Sequence, residues 1–452
     1  MVSSVGLRDR IWTVGDGIAW LRARPWTYVY VVFAMWGLFP ELRRVIDWKS
    51  SFASVSIVSI LPLLALVPAA IAVVKKLRRQ SLPREAIVLV WLWLGAFGYG
   101  YAVALAVGNA VPATYTLAGF LLPMFFGLLP IGWRAIDGLA LYERIASFAL
   151  KLSVPIALYA FYQYVAPPPW DLFWLEQTHL VSVGIAEAFG FRPFGTLNAP
   201  GPFADFLVFI LILNLPRVRG AKLWRGFAIA LDVAALAMTL VRADWIALAI
   251  AVVVFVALSP RKVANLSAIG VVALVVGLFA GNASTIFGSD QADGISERFT
   301  SLGDITTDVS FVERQRLFGE ALSNAIAEPT GEGLGVLGTA AKLGSGGATV
   351  DFDNGYIARF TELGYFGMAA YLAAILAMFA VTARRWWALN RAGDAQAASI
   401  AAAALGLQAA LIFLDTSSDH HSLLSALFFW LAFGLVFKGD VRVRGMGPDP
   451  AR

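Results

Sequence analysis

Apolar residues in this chain come in long runs, not in the short alternating or three-and-four-residue patterns of a soluble domain. Stretches of about 20 residues with few charges recur from end to end, and each is long enough to cross a hydrocarbon core of about 30 Å. The pattern predicts about twelve membrane-spanning helices, at roughly 26–39, 53–74, 86–107, 113–133, 145–165, 203–215, 226–241, 245–259, 265–281, 364–383, 396–414 and 422–437. A transmembrane β-barrel would instead show alternation over segments of about 10 residues. The expected fold is all-α and polytopic: one integral membrane domain over 1–452, with a large extracytoplasmic loop at 283–363 between the ninth and tenth spans.

Polar positions set the expected orientation. The basic turns "KKLRRQSLPRE", "RVRGAKLWR", "SPRK" and "ARRWWALNR", both ends of the chain and the turn from Arg134 to Arg144 alternate with turns poorer in Lys and Arg. By the positive-inside rule the basic set is cytoplasmic, so the long segments 166–202 and 282–363 face outward. Composition agrees, with 59% hydrophobic residues, 14% charged and a mean hydropathy of +0.72; soluble domains carry roughly a quarter charged. The net charge of +5 belongs to the topological turns, so no nucleic-acid partner is expected. Zero cysteines leave no disulfide or thiolate chemistry, and three histidines leave little for a metal site. The first 25 residues are mixed and polar, so no cleavable signal is expected.

A question arises at "LAMTLVRADWIALAIAVVVF", where Arg242 and Asp244 interrupt an otherwise lipid-soluble stretch. An ionisable group at bilayer depth costs a few kcal/mol, so it needs a fold that moves it to the edge or a function that keeps it. The layout puts "VRADW" at the outward tip of a tight helical hairpin. Asp232, deeper in the same stretch, reads as a neutral or hydrogen-bonded carboxyl between helices. In the large loop, "SFVERQRLFGEALSNAIAEP" predicts one helix. Ser310 and Glu313 fit a capping box, and Pro329 ends it. Phe311, Leu317, Phe318, Ala321, Leu322 and Ala325 give it an apolar face, suited to the membrane surface or to covering a cavity.

Candidate chemistry collects on the outward side. Arg192 opens "RPFGTLNAPGPFADFL", Arg242 tops the hairpin, and Arg314 lies beside the apolar face of the loop helix. Asp353 and Asn354 open "DFDNGYIARFTELGYFG", and "LDTSSDHHS" offers Asp415, Asp419, His420 and His421. One arginine at a membrane boundary is usually a snorkelling anchor. Three on one side suit an anionic headgroup on a long lipid tail, because guanidinium groups bind phosphate oxygens through paired hydrogen bonds. "GEGLGVLG" has the G-x-G-x-x-G spacing, but no βαβ unit surrounds it, so a nucleotide is not expected. His420 and His421 are adjacent and would point about 100° apart on a helix, which argues against a shared metal. "PPPWDLFWLEQ" reads as an interfacial aromatic belt or as the floor of a sugar site.

In order, "RPFGTLNAPGPFADFL", "VRADWIAL", "ERQRLFGEAL…EPTGEGLGVLG" and "DNGYIARFTELGYFG" resemble the motifs of the O-antigen ligase and O-antigen or exopolysaccharide polymerase superfamily, over about residues 190–370. The resemblance implies glycan transfer from an undecaprenyl-diphosphate-linked oligosaccharide to a sugar hydroxyl. The reaction would take place at the outer face of the cytoplasmic (inner) membrane, with no cofactor and no metal. It implies that Arg192, Arg242 and Arg314 hold the diphosphate, with Arg242 and Arg314 acting on the reacting centre. Asn198, Asn354, Asp419, His420 and His421 are the further substrate contacts. Asp353 stands where the ligases carry a histidine, as the candidate base; Asp419, His420 and His421 are the alternatives. The absent histidine points to polymerase over ligase, while "VRADW" lacks the usual serine before its arginine. Besides the bilayer, a flippase and a chain-length regulator are the partners such a pathway implies. A transporter, the rival class, would place charges and broken helices near mid-membrane in paired repeats, and the chain shows no such repeat.

Overall fold

A computed structural model describes residues 24–53, 56–133, 136–178, 183–217, 223–260, 270, 318–319, 322–323, 326–344 and 354–439. In lipid every backbone N–H and C=O must be satisfied within its own segment, so apolar runs become helices. They are α1 (Pro25–Lys49), α2 (Ile57–Leu64), α3 (Val67–Arg78), α4 (Arg84–Ala106), α5 (Ala110–Leu128), α6 (Gly138–Val165), α7 (Pro169–Thr178), α8 (Pro200–Asn214), α9 (Leu223–Met238), α10 (Arg242–Leu258), α11 (Gly355–Arg391), α12 (Ala395–Leu414) and α13 (Leu423–Gly439). Each expected span within the described residues has its helix. The span at 265–281 and most of the loop helix, Arg314 included, lie outside them.

Among the described residues, seven helical segments are long and apolar enough to cross a membrane: Ile57–Arg78, Arg84–Ala106, Ala110–Gly132, Gly138–Val165, Pro200–Arg217, Gly355–Arg391 and Ala395–Leu414. The chain is an all-α polytopic membrane protein. Within the bundle α10 lies along α12, α4 along α11, α5 along α13 and α6 against α9. At the centre stands α8, touching α6, α9, α10, α12 and α13. Its residues from Phe203 to Ile212 are buried on every side, as an all-round apolar helix requires. Asp232 of α9 accepts a 2.6 Å hydrogen bond from Ser153 of α6, so this carboxyl is partnered between helices.

The two ends of the bundle differ in chemistry. At the basic end, Lys438 donates to the Trp133 carbonyl, and Arg217 meets Glu143 at 2.8 Å. At the other, buried charges tie loops to helix ends. Helix α1 runs on past the expected boundary at 39, through Pro40 to Lys49, because its charges are paired. Arg43 meets Asp47 at 3.2 Å. Arg44, 0% exposed, donates to Asp171 at 2.7 Å, to Glu41, and to the carbonyls of Gly195 (2.8 Å) and Leu197. Gln163 of α6 accepts from the N–H groups of Phe194 and Gly195, each at 3.0 Å. The "RPFGTLN" segment is thus clamped by α1, α6 and α7.

A second crossing shapes α11. Gly364 has φ +58°, a left-handed break inside the helix, and the loop from Pro329 to Gly335 lies across it. There the N–H of Glu332 reaches the Thr361 carbonyl at 2.8 Å, that of Gly333 reaches Glu362 at 3.1 Å, and that of Tyr365 reaches Pro329 at 3.0 Å. Leu334 donates to Gly100 of α4 at 3.0 Å. Within the glycine-rich run the N–H groups of Glu332, Gly333 and Leu334 are thus taken up by helix carbonyls, and that of Gly335 by the Glu362 carboxylate. The helix starts at Gly355, nine residues' worth of chain ahead of the span read from hydropathy at 364.

A side chain at 364 would need the left-handed conformation and would collide with the Thr330 carbonyl carbon and the Gly331 nitrogen. Gly364→Ala is therefore expected to destabilise by about 1–3 kcal/mol. Thermal unfolding in detergent should show a lowered midpoint, and limited proteolysis faster cutting near 329–340; an unchanged midpoint would refute this account of the crossing.

Candidate functional site

The tight turn between α9 and α10 carries the first arginine pair. Leu240 takes φ +55° there, Val241 caps α10, and Arg242 is its first residue. Arg192 Nε donates to the Thr239 carbonyl at 2.7 Å, across 47 residues of sequence. Arg192 and Arg242, both half-buried, are thereby brought to one turn. Asn198 belongs to the clamp: its Oδ1 lies 3.4 Å from Arg44 Nη1, and its carbonyl accepts from the Trp174 indole at 3.1 Å. Arg314 and Asp353 lie outside the described residues.

Asn354 caps α11, accepting from the Ile357 N–H at 3.1 Å, and its Nδ2 donates to the Thr416 carbonyl at 3.3 Å. The next residue, Gly355, donates its N–H to the Asp415 carbonyl at 2.8 Å. The start of α11 is thus stitched to the turn between α12 and α13. That turn is organised by Asp415, whose carboxylate accepts from His421 Nδ1 (2.5 Å), the Tyr371 hydroxyl (2.8 Å) and the His420 N–H (2.8 Å). Burial opposes its ionisation, but the charge and hydrogen bond of His421, with help from His420, hold the carboxyl below its ordinary range.

The two histidines face inward. His421 is 0% exposed and sits among Trp93, Tyr371 and Phe429, with ring centroids 6.3, 5.8 and 4.8 Å away. His420 has Nδ1 2.9 Å from the Ser418 carbonyl and Nε2 3.2 Å from Asp205 Oδ1. Its contact with Asp205 is an ion pair somewhat off the line of an ideal hydrogen bond, and charge attraction tolerates that angle. Both ring nitrogens face oxygens, an arrangement that favours the doubly protonated ring. Burial disfavours that charge, yet Asp205, then Asp415 and Asp244, push the imidazole up to about 10. A ring with no free lone pair is not in the state that a base or a metal ligand requires.

Asp419 is the more open carboxylate. It lies 3.4 Å from Arg359 Nη2, with its side chain 26% exposed. Arg359 also pairs with Glu362 and stacks over Phe120 at 4.8 Å, while Glu362 Oε1 accepts the Gly335 N–H at 2.8 Å. Asp244, two positions past Arg242, lies beside Asp205 of α8. Sequence reasoning left Asp205, Asp244, Arg359, Glu362 and Tyr371 out of the site. Their signal was present, since each is a polar group within an apolar stretch and four of them fall in the quoted motifs. Among the described residues no group of three or more His, Cys, Asp or Glu is arranged to hold a metal. The cleft lined by Gly138, Asp394, Gln396 and Leu435 lies at the basic end, away from these charges.

Residues 226–372 match the family model described as O-antigen ligase. The match supports the superfamily of O-antigen ligases and polymerases, and with it glycan transfer as the class of chemistry. It covers about a third of the chain, from the start of α9 into α11. Arg242, Asp244, Asn354, Arg359 and Glu362 fall inside the O-antigen ligase match; Arg192, Asp205 and the turn 415–421 pack against it from outside. No curated protein matches the chain.

The His420 charge has a pH signature. A folded pKa of about 10 against an ordinary 6.5 means that its contribution to stability is complete below about pH 6.5 and is lost as pH rises through 10. The unfolding midpoint of the purified protein should fall between pH 7 and 10, and His420→Gln should flatten that fall. An identical slope in both proteins would contradict the assignment.

Proposed function

We propose that this protein is a membrane glycosyltransferase that polymerises lipid-linked oligosaccharide repeats, passing glycan from an undecaprenyl-diphosphate donor to an acceptor sugar hydroxyl. The observation that carries the reading is the meeting of Arg192 and Arg242 on one turn at the end of an apolar bundle. A diphosphate head can engage the guanidinium groups while its polyprenyl tail stays in lipid. Arg242 also stands at the N-terminus of α10, where unpaired backbone N–H groups favour an anion.

In the transfer step the acceptor oxygen attacks the anomeric carbon in line, the bond from that carbon to the diphosphate oxygen breaks, and the acceptor proton passes to a base. Negative charge spreads over the departing diphosphate, where preplaced guanidinium groups stabilise it more than in the ground state. In this reading Arg314 joins Arg192 and Arg242, and Asp353 takes the proton, one residue before the Asn354 cap. Asp419, the open carboxylate beside Arg359, is the second candidate base. Asn354, Asn198 and the turn bearing His420 and His421 shape the acceptor side. In this reading the loop-rich end faces outward from the cytoplasmic membrane, in keeping with the basic turns at the other end. Asp353 in the ligases' histidine position favours a polymerase, working beside a flippase and a chain-length regulator.

Proteoliposomes holding the protein and an undecaprenyl-diphosphate oligosaccharide should give a ladder of longer lipid-linked glycans, with chelator present and no nucleotide added. Arg242→Ala should cut the rate by about 10²–10³ while the protein still folds and inserts. A normal ladder from Arg242→Ala would contradict the assignment. Transfer to a lipid A-core acceptor with no ladder would make the chain a ligase instead.

A further inference from the structure

The segments that carry the proposed chemistry meet in a buried contact set that the transfer step does not use. Asp205 lies in α8, downstream of the clamp that holds Arg192. Asp244 lies two positions past Arg242, and His420 lies in the turn stitched to Asn354. These three residues are 8%, 2% and 7% exposed. His420 Nε2 faces Asp205 at 3.2 Å, and Asp244 faces the same carboxyl from α10. Asp415 of the same turn acts on the ring from its other side, while from α11 Tyr371 and Arg359 face Asp415 and Asp419.

We propose that Asp205 is a positioning residue, whose carboxylate holds His420 as an imidazolium and so fixes the turn 415–421, and with it the start of α11, against the arginine-bearing end of α10. The proposal rests on the glycan-transfer reading of this site. Transfer needs the donor diphosphate and the acceptor base at a fixed separation, and these are carried by elements far apart in sequence. An ion pair screened from water is stiff and strong, and removing one partner strands the other charge. Displacing the turn by about 1 Å would slow the reaction by up to about 10²-fold without touching the donor grip.

The test uses the full-length protein in nanodiscs with ¹⁵N-labelled histidine, since the chain has three histidines. At pH 8 the wild type should show a His420 imidazolium signal, assigned by its loss in His420→Gln, that disappears in Asp205→Asn and persists in Asp205→Glu. In glycan transfer, Asp205→Asn should lose about 10- to 100-fold in kcat at pH 8 with donor affinity unchanged, and recover part of it at pH 6, where His420 regains its proton. His420→Gln should be slow at both pH values, and it carries the test if Asp205→Asn does not fold. A wild-type kcat and pH profile in either variant, or a His420 imidazolium signal that survives in Asp205→Asn, would overturn the proposal. Absence of transfer by the wild type would remove the glycan-transfer reading and the positioning role together, while the imidazolium signal still reported the ion pair.

Discussion

A charge buried in an apolar bundle must find its counter-charge, and in this protein the counter-charge repeatedly comes from a distant segment. Lipid provides no hydrophobic drive for one helix to prefer another, so packing and polar pairing decide register. Arg44 of α1 reaches Asp171 of α7 across 127 residues, and His420 reaches Asp205 of α8. Arg359 gathers Glu362 from its own helix and Asp419 from the last turn. Each pair would be costly if broken, and together they determine where the loops of one end sit.

Those pairs also sort the polar groups of that end into two kinds. Arg44, Gln163 and Glu362 bond loop backbone, Asp171 bonds the side chains of Arg44, Tyr159 and Gln163, and together they form a scaffold. Arg192 and Arg242 are held on a single turn and are only half-buried. Asp419 keeps an open edge in the same way. Of that scaffold Glu362 comes from a quoted motif, while Arg44 and Gln163 grip the motif that begins with Arg192. A segment such as "RPFGTLN" therefore serves by being rigid as much as by any one side chain.

Hydropathy made the helices legible because lipid leaves the backbone no other option. It failed at boundaries where charge enters: α1 reads as ending at 39, yet continues to Lys49 because Arg43 and Arg44 are paired inside the protein. Likewise α11 reads as beginning at Gly364, where a left-handed glycine lets a loop cross the helix, and no periodicity announces such a crossing. The arginine pair was legible as two residues on one predicted face, but their meeting at Thr239 was not, since it depends on the Arg44 clamp. His420 read as a candidate base or substrate contact. Only the fold brings Asp205 to 3.2 Å from its ring, where a carboxylate favours the imidazolium. The opening puzzle of Arg242 and Asp244 has two answers: the arginine lies at a helix end, and the aspartate is kept by its neighbours in the fold.

A polyprenyl diphosphate donor would have to lay its pyrophosphate head against the Thr239–Arg242 turn. The most direct measurement is a cryo-EM structure of the protein with undecaprenyl diphosphate in nanodiscs. It should show the two phosphates within hydrogen-bonding distance of the Arg192 and Arg242 guanidinium groups, with the polyprenyl chain leaving between helices into lipid. Phosphate density at the basic end of the bundle, or a headgroup held by other residues with these two arginines turned away, would contradict it.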